Sequence, residues 1–161
     1  MIENFKPKFI IPIGISGSGK SRWIKSLVDL GYEIISPDDI RRELTGDVSN
    51  QSRNKDVFPI AFQRTIKAIN DGNSVIFDAT NVNSSHRKRM LDYIKQNTEL
   101  DFDAFAKIFN VDPEICNERI RNDIETGIDR SNVPPNAVNK QYRNFIKDLN
   151  NVESDGYKII S

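Results

Sequence analysis

The residues with the clearest chemical potential form a glycine-rich run near the start of the chain. Residues 14–21 read Gly-Ile-Ser-Gly-Ser-Gly-Lys-Ser and fit the pattern G-x-x-x-x-G-K-[ST]. Glycines let successive backbone N–H groups point at phosphate oxygens, and the lysine of the pattern can reach the β- and γ-phosphates of a nucleoside triphosphate. The run therefore predicts a site for ATP and Mg²⁺, with a glycine-rich turn of no function as the alternative.

Individual roles within this run follow from the same chemistry. Lys20 is also a candidate catalytic residue, because its charge would stabilise the transferring γ-phosphoryl group, and Ser21 is a candidate metal ligand. The motif requires a strand before it and a helix after it, and both are predicted, over residues 8–13 and 23–28. The predicted ATP contacts in the run are Gly14, Ser16, Gly17, Ser18, Gly19, Lys20 and Ser21.

A second polar group, Ser36-Pro-Asp-Asp-Ile-Arg-Arg-Glu43, follows the second predicted strand. Asp38 and Arg41 are three residues apart on a predicted helix and share one face, so a carboxylate that could take a proton lies beside an arginine that could hold a phosphate. The alternative is structural. Ser36 would cap the helix, Asp38 would favour its dipole and Arg41 would pair with Asp38. Both interpretations stay open, and Asp39 is assigned to the cap.

The third predicted strand runs into Phe77-Asp-Ala-Thr-Asn-Val-Asn83. Asp78 then lies at the carboxyl end of a buried strand, where a P-loop fold places its metal, and is a candidate metal partner. Alternatively, Asp78 caps the turn with Thr80 and Asn81. The next helix begins with the basic run 86–89, which usually indicates a solvated face, and only Arg87 within it is given a functional hypothesis.

Arginines bracket a segment without periodicity before Val133-Pro134. Arg119, Arg121 and Arg130 would suit a lid over about residues 121–134, because arginine forks match the charge on a transferring phosphoryl group. The alternative is that these are surface arginines paired with nearby carboxylates. We expect that to hold for at least one of them, and we choose Arg121.

Strands and helices alternate along the chain, which predicts an α/β fold with a five-stranded, mostly parallel sheet and helices on both faces. With 161 residues, we expect a single domain over residues 1–161. The 23 Lys and Arg balance the 23 Asp and Glu, so no overall field attracts nucleic acid and any anionic ligand must be held locally.

Composition also limits cofactors and location. The single cysteine, Cys116, and single histidine, His86, exclude an internal disulfide and a His/Cys zinc site. No apolar run is long enough for a membrane span, so we expect a cytoplasmic protein without a membrane partner. With 22 Ile and 17 Asn against 6 Ala, the composition fits an AT-rich genome, such as that of a phage.

Together these motifs resemble the 5'-hydroxyl kinase domain of phage polynucleotide kinases, within the zeta-toxin-like P-loop kinases. The resemblance extends over nearly the whole chain. It is carried by residues 14–21 with Trp23, Asp38-Asp-Ile-Arg41, Thr80-Asn-Val-Asn83 with Arg87, Phe109-Asn-Val with Arg119, and Val133-Pro134.

The resemblance implies a P-loop kinase-like three-layer sandwich with a lid, ATP and Mg²⁺ as cofactors, and nucleic acid 5'-hydroxyl ends as substrate. It implies that Asp38 is the general base and that Arg41 binds the phosphate next to the acceptor nucleoside. Arg119 would lie at the nucleotide, and a lid arginine, for which we choose Arg130, would complete catalysis. On the acceptor side we add Thr80, Asn81 and Arg87.

Two rival functions stay open at this point. One is a kinase for a nucleotide, nucleoside or sugar nucleotide, and the other is an ATP-switched binding module with no acceptor. A base at Asp38 would argue against a pure switch. The Asn-Lys-x-Asp pattern of GTPases and an Asp-x-Asp-x-Thr phosphatase motif are absent from the sequence, so we expect a kinase domain alone.

Overall fold

A computed structural model describes residues 5–161 of the chain. Short 3-10 turns at Val28–Leu30, Gln51–Arg53 and Leu149–Asn151 supplement the main elements. Those elements are β1 (Lys8–Ile13), α1 (Lys20–Leu27), β2 (Glu33–Ile35), α2 (Pro37–Thr45), α3 (Asn54–Asn70), β3 (Val75–Phe77), α4 (Ser84–Asn97), β4 (Asp103–Ile108), α5 (Pro113–Glu125), α6 (Pro135–Asp148) and β5 (Lys158–Ile160).

The five strands form one parallel sheet in the order β2-β3-β1-β4-β5. Side chains of β1 alternate between its two faces, because successive residues of a strand point to opposite sides. Phe9, Ile11 and Ile13 enter the larger apolar cluster, and Ile10 joins Ile24 and Ile76 in a smaller one. Helices therefore cover both faces of the sheet, and the predicted P-loop kinase-like sandwich is confirmed.

The topology brings the candidate chemistry to one edge of the sheet. β1 leads into the glycine-rich run and α1, β2 leads into α2, and β3 ends directly before Asp78. In an open parallel sheet, ligands bind outside the carboxyl ends of the strands. Because β1, β2 and β3 are neighbours, their three outgoing segments lie next to each other at this edge.

The largest departure from the sequence expectation concerns α3. Residues 46–56 are predicted to be a loose loop, with a helix marked from Phe58, but α3 begins at Asn54 and continues through Pro59. Pro59 cannot donate a backbone hydrogen bond to the preceding turn, and its side chain is exposed. Tertiary packing offsets that loss, since Val48 and Val57 are buried on either side of the helix start.

No helix in residues 5–161 combines the length and the apolar character that a membrane span requires.

Candidate active site

The glycine-rich run between β1 and α1 has a backbone that favours glycine at two positions. Gly17 and Gly19 have φ angles of +82° and +102°, in the left-handed region. A Cβ on Gly17 would lie 2.8 Å from the carbonyl oxygen of Cys116 in α5. The helix α1 begins directly after this turn, so its unpaired N–H groups and its positive end face the same space. The arrangement suits an anion such as a triphosphate.

Lys20, the first residue of α1, holds its ammonium group against this turn. Its Nζ donates hydrogen bonds to the carbonyl oxygens of Gly14 at 2.8 Å and Ile15 at 2.7 Å. Burial lowers the pKa of Lys20 to about 8, although the negative charge of Asp78 opposes that shift. A bound phosphate would supply a second negative charge and favour the protonated form.

Asp78 follows β3, and its backbone N–H donates to the carbonyl of Ile35 in β2 at 2.8 Å. Burial raises the pKa of Asp78 to about 6, while the charge of Lys20 acts in the opposite direction and that of Asp38 adds to the rise. The carboxylates of Asp38 and Asp78 and the Lys20 ammonium are therefore close enough to shift one another's pKa. A cation at this place would stabilise the ionised form of Asp78.

The donor set near Lys20 fits Mg²⁺. Asp78 offers carboxylate oxygens, and Ser21, exposed beside Lys20, offers a hydroxyl oxygen. Mg²⁺ prefers oxygen ligands and commonly combines one or two protein groups with substrate phosphates and waters. Within residues 5–161 there is no group of three or more His, Cys, Asp or Glu that could hold a metal alone.

The acceptor-side residues lie on α2. The Ser36 hydroxyl accepts a hydrogen bond from the Asp39 backbone N–H at 3.2 Å, so the predicted Ser36 cap is confirmed, while the Asp39 carboxylate pairs with Arg42. Arg41 Nη1 donates to Asp38 Oδ1 at 2.5 Å, and the Asp38 side chain is 58% exposed. Arg41 Nε donates to Asn54 Oδ1 at 2.9 Å. Asn54, which orients Arg41 from the start of α3, is a site residue that sequence reasoning missed.

One of the three arginines near the lid contacts the glycine-rich turn. Arg119 Nη1 donates to the Gly17 carbonyl at 3.1 Å. Arg130 pairs with Asp123 at 2.9 Å. Burial of Lys20 is the largest cause of its lowered pKa, and the positive charge of Arg130 adds to that shift. Arg121 is exposed on α5. The pairing with a local carboxylate that we expected for Arg121 is thus made by Arg130.

A family profile described as an AAA domain matches residues 9–147, which include all of these positions. The chain belongs to this AAA-domain family.

One relative that matches the AAA domain comes from a virus. A viral protein of Autographa californica nuclear polyhedrosis virus, provisionally described as a bifunctional polynucleotide kinase/RNA ligase, is 29% identical over 160 residues. That match covers 91% of this chain and 22% of the viral protein. The chain thus spans about a fifth of that relative's length. The match supports the resemblance to polynucleotide kinases that the motifs predict.

Solved structures share the fold of the AAA domain. A chain of the Pnkp1/Rnl/Hen1 RNA repair complex superposes with a TM-score of 0.79 at 20% identity, over 92% of this chain and 47% of that one. A chain from the PezAT toxin–antitoxin system of Streptococcus pneumoniae gives 0.65 at 15% identity, over 95% and 66%. A gluconokinase from Sinorhizobium meliloti gives 0.56 at 14% identity, over 98% and 83%. At these identities the likeness concerns the fold.

Arg87 of the AAA domain does not lie where an acceptor contact requires it. Its side chain is fully buried and donates from Nε to Asp155 Oδ2 at 3.0 Å. Nη1 donates to the Asn81 carbonyl at 2.8 Å, and Nη2 to the Asp148 carbonyl at 2.7 Å. The prediction that Arg87 contacts the acceptor is therefore wrong for this structure, because every guanidinium nitrogen is used inside the protein.

We expect Arg87→Gln to destabilise the AAA domain by about 3 kcal/mol, because it leaves the buried carboxylate of Asp155 without a counter-charge. Urea unfolding of the variant measures this loss. Lys88→Gln, at an exposed neighbouring position, is the control and should unfold like the wild type. Unchanged stability of Arg87→Gln would contradict this structural role.

The backbone of Thr80 and the side chain of Asn81 contact β1 and the start of the glycine-rich run. The Thr80 carbonyl accepts from Gly14 N–H at 3.0 Å. Asn81 is 3% exposed, and its Nδ2 donates to the Pro12 carbonyl at 2.8 Å. The acceptor role predicted for Asn81 is therefore corrected to one in holding the turn after β3 against β1. The partly buried Thr80 side chain keeps its acceptor role as a prediction.

Gln141 of α6 is a second residue that sequence reasoning missed. Its Oε1 accepts a hydrogen bond from the Ser16 backbone N–H at 2.9 Å. This contact joins the helix that follows the lid to the glycine-rich turn. The only sequence signal is its place on α6 between the buried Val138 and Phe145, at helical spacing.

Proposed function

We propose that this AAA domain transfers the γ-phosphoryl group of ATP to the 5'-hydroxyl end of DNA or RNA. The observation that carries the proposal is the Asp38–Arg41 pair, held by Asn54 at the same sheet edge as Lys20. A pure ATP switch needs no carboxylate of this kind beside its nucleotide. The charge of Asp38 also acts on Lys20 and on Asp78, which supports one continuous site.

On the donor side, the N–H groups of the glycine-rich turn and Lys20 would hold the β- and γ-phosphates. Mg²⁺ held by Ser21 and Asp78 would neutralise part of the phosphate charge when bound. Arg119 and Arg130 would add guanidinium charge from the α5 side, where Arg119 already contacts the Gly17 carbonyl. Negative charge spreads over the γ-phosphoryl oxygens during transfer, so these cations stabilise the transition state.

On the acceptor side, Asp38 would accept the proton of the 5'-hydroxyl group. The hydroxyl oxygen then forms its bond to the γ-phosphorus as the bond to the β–γ bridging oxygen breaks, and ADP leaves. Asp38 uses Oδ1 for Arg41, and the side chain is 58% exposed and accessible to an acceptor. Arg41 uses Nε and Nη1 for its contacts in residues 5–161, which leaves Nη2 for a phosphate of the acceptor strand.

The comparisons support nucleic acid as the acceptor class. The viral relative is described as a polynucleotide kinase joined to an RNA ligase, and a chain of an RNA repair complex shares the fold. Zero net charge is compatible with this acceptor. A kinase that grips only the strand end needs few phosphate contacts, and these fix the position of the strand without reading its sequence.

For Arg41→Ala we expect a higher KM for a 5'-hydroxyl oligonucleotide or a nucleoside 3'-monophosphate, with ATP binding little changed. The loss of acceptor binding free energy should be roughly 1.5–3 kcal/mol, the range for hydrogen bonds to charged groups. Transfer from labelled ATP to a panel of oligonucleotides, nucleosides, nucleoside 3'-monophosphates and UDP-sugars measures it. The wild type should prefer a nucleoside 3'-monophosphate to the bare nucleoside, and the variant should largely lose this preference.

Arg64→Ala is the matched control for Arg41→Ala. Arg64 lies on α3 and pairs with Glu43 of α2 at 2.6 Å, but it is exposed. Its removal should leave the acceptor KM unchanged. Better transfer by the wild type to a bare nucleoside or a UDP-sugar than to any 5'-hydroxyl oligonucleotide would refute the proposal and favour a small-molecule kinase.

A further inference from the structure

The segment between α5 and α6, residues 126–134, is joined to α2 by an ion pair. We call these residues the lid segment. Arg42 Nη2 lies 2.9 Å from Asp129 Oδ2 of the lid segment. The same guanidinium donates from Nη1 to Asp39 Oδ1 at 3.1 Å, within α2. One arginine thus bridges two carboxylates from parts of the chain about ninety residues apart.

The next residue of the lid segment is held from the other side. Arg130 Nη1 pairs with Asp123 Oδ2 of α5 at 2.9 Å. Two consecutive residues, Asp129 and Arg130, are therefore fixed to two different helices, α2 and α5. Because the backbone between them is held on both sides, the place from which the Arg130 side chain extends is fixed.

Apolar packing contributes little to the position of the lid segment at this point. Ile128, directly before Asp129, is 54% exposed, and Ile124 at the end of α5 is 39% exposed. Only Val133, toward the far end, packs against the core. Asp39 already holds Nη1 of the planar Arg42 guanidinium. Less side-chain conformational entropy is therefore lost when Nη2 binds Asp129.

We propose that Arg42 and Asp129 form a latch that ties the lid segment to α2 and fixes the backbone from which the Arg130 side chain extends. Both are positioning residues that act through Arg130. This inference rests on the proposed function, since the position of Arg130 matters for phosphoryl transfer. The helix that carries the predicted base then also sets the place of the lid arginine, so the acceptor and donor sides of the site are mechanically joined.

The latch is tested by a double-mutant cycle of Arg42→Gln, Asp129→Asn and the combined variant. Hydrogen–deuterium exchange of amides 126–134, without any substrate, reports the lid segment directly. Each single variant should exchange about two- to five-fold faster, the effect of losing an exposed ion pair, and the combined variant no faster than either single one. Arg64→Gln breaks another exposed pair on α2, to Glu43, and should leave this exchange unchanged.

Phosphoryl transfer gives a second readout. Each latch variant should lower kcat by about the same two- to five-fold, with KM for ATP unchanged, and the difference from wild type should shrink at about 1 M salt because the pair is exposed. Unchanged exchange in both single variants, or effects that add in the combined variant, would overturn the latch. If the cycle shows coupled exchange but the wild-type protein phosphorylates no acceptor, the latch is supported and the proposed function is refuted.

Discussion

Lys20→Ala should lower the rate of phosphoryl transfer by roughly 10²–10³-fold or more for every acceptor, the effect of removing one preorganised donor from a transition state. Lys20 places an enclosed positive charge at the glycine-rich turn, 9% exposed and bonded to two carbonyls of that turn. Its charge matches the β- and γ-phosphates, where negative charge develops. Initial rates with saturating labelled ATP and a 5'-hydroxyl oligonucleotide measure the loss.

Lys25→Ala, an exposed lysine of the same helix, is the control and should retain wild-type transfer. Turnover of Lys20→Ala above a few per cent of wild type would contradict the P-loop assignment.

The protonation of Lys20 also makes the stability of the wild type depend on pH. Burial lowers the pKa of Lys20 to about 8 in the folded state, against 10.5 ordinarily, so the unfolded chain binds more protons between these values. Wild-type stability relative to Lys20→Ala should therefore rise by about 3 kcal/mol from pH 8 to 10.5.

Asp38→Asn should lower kcat by roughly 10²–10⁴-fold, the usual contribution of a general base, while ATP affinity changes little. The amide nearly keeps the shape of the carboxylate and can still accept a hydrogen bond from Arg41, but it cannot take the hydroxyl proton. Single-turnover transfer, together with ATP binding measured by calorimetry, separates the two effects.

Asp39→Asn is the matched control, one residue further along α2. Asp39 lies in the first turn of the helix and pairs with exposed Arg42, so its loss should cost mainly stability, about 0.3–1 kcal/mol. If Asp38→Asn instead lowers the melting temperature and keeps its rate, the helix-dipole interpretation of Asp38 is correct and the kinase proposal loses its base.

The fold was largely readable from the sequence because the elements alternate and their ends carry local signals. Ser36 and Pro37 mark the start of α2 within four residues of a strand, and the structure places the helix there. The start of α3 was not readable, since residues 46–56 are polar and lack apolar periodicity. Burial of Val48 and Val57, which depends on the rest of the fold, decides where that helix begins.

The site was readable where its residues are close in sequence and missed where they are distant. Asp38 and Arg41 are three positions apart and meet on one helix face, as their spacing predicts. Asn54 and Gln141 reach the site from α3 and α6, so no local sequence pattern indicates their role. The functional roles of all these residues stay predictions.

Arg87 shows how a charged run conceals a buried position. Residues 86–89 read as a solvated basic face, but Arg87 precedes Met90, Leu91 and Ile94 at helical spacing, and all four are buried. That spacing was the available signal. A lone arginine on an apolar face requires a counter-charge, and here it comes from Asp155, which is distant in sequence.

The Arg87–Asp155 pair also ties the residues after α6 into the fold. The family match ends at residue 147, yet the counter-charge of Arg87 lies at Asp155, and the Tyr157 hydroxyl donates to the Arg87 carbonyl at 2.9 Å. A chain trimmed to the family boundary would keep a buried guanidinium and lose its carboxylate. The folded unit therefore extends past the family match to Tyr157, and a split or fused version of this protein should carry those residues with it.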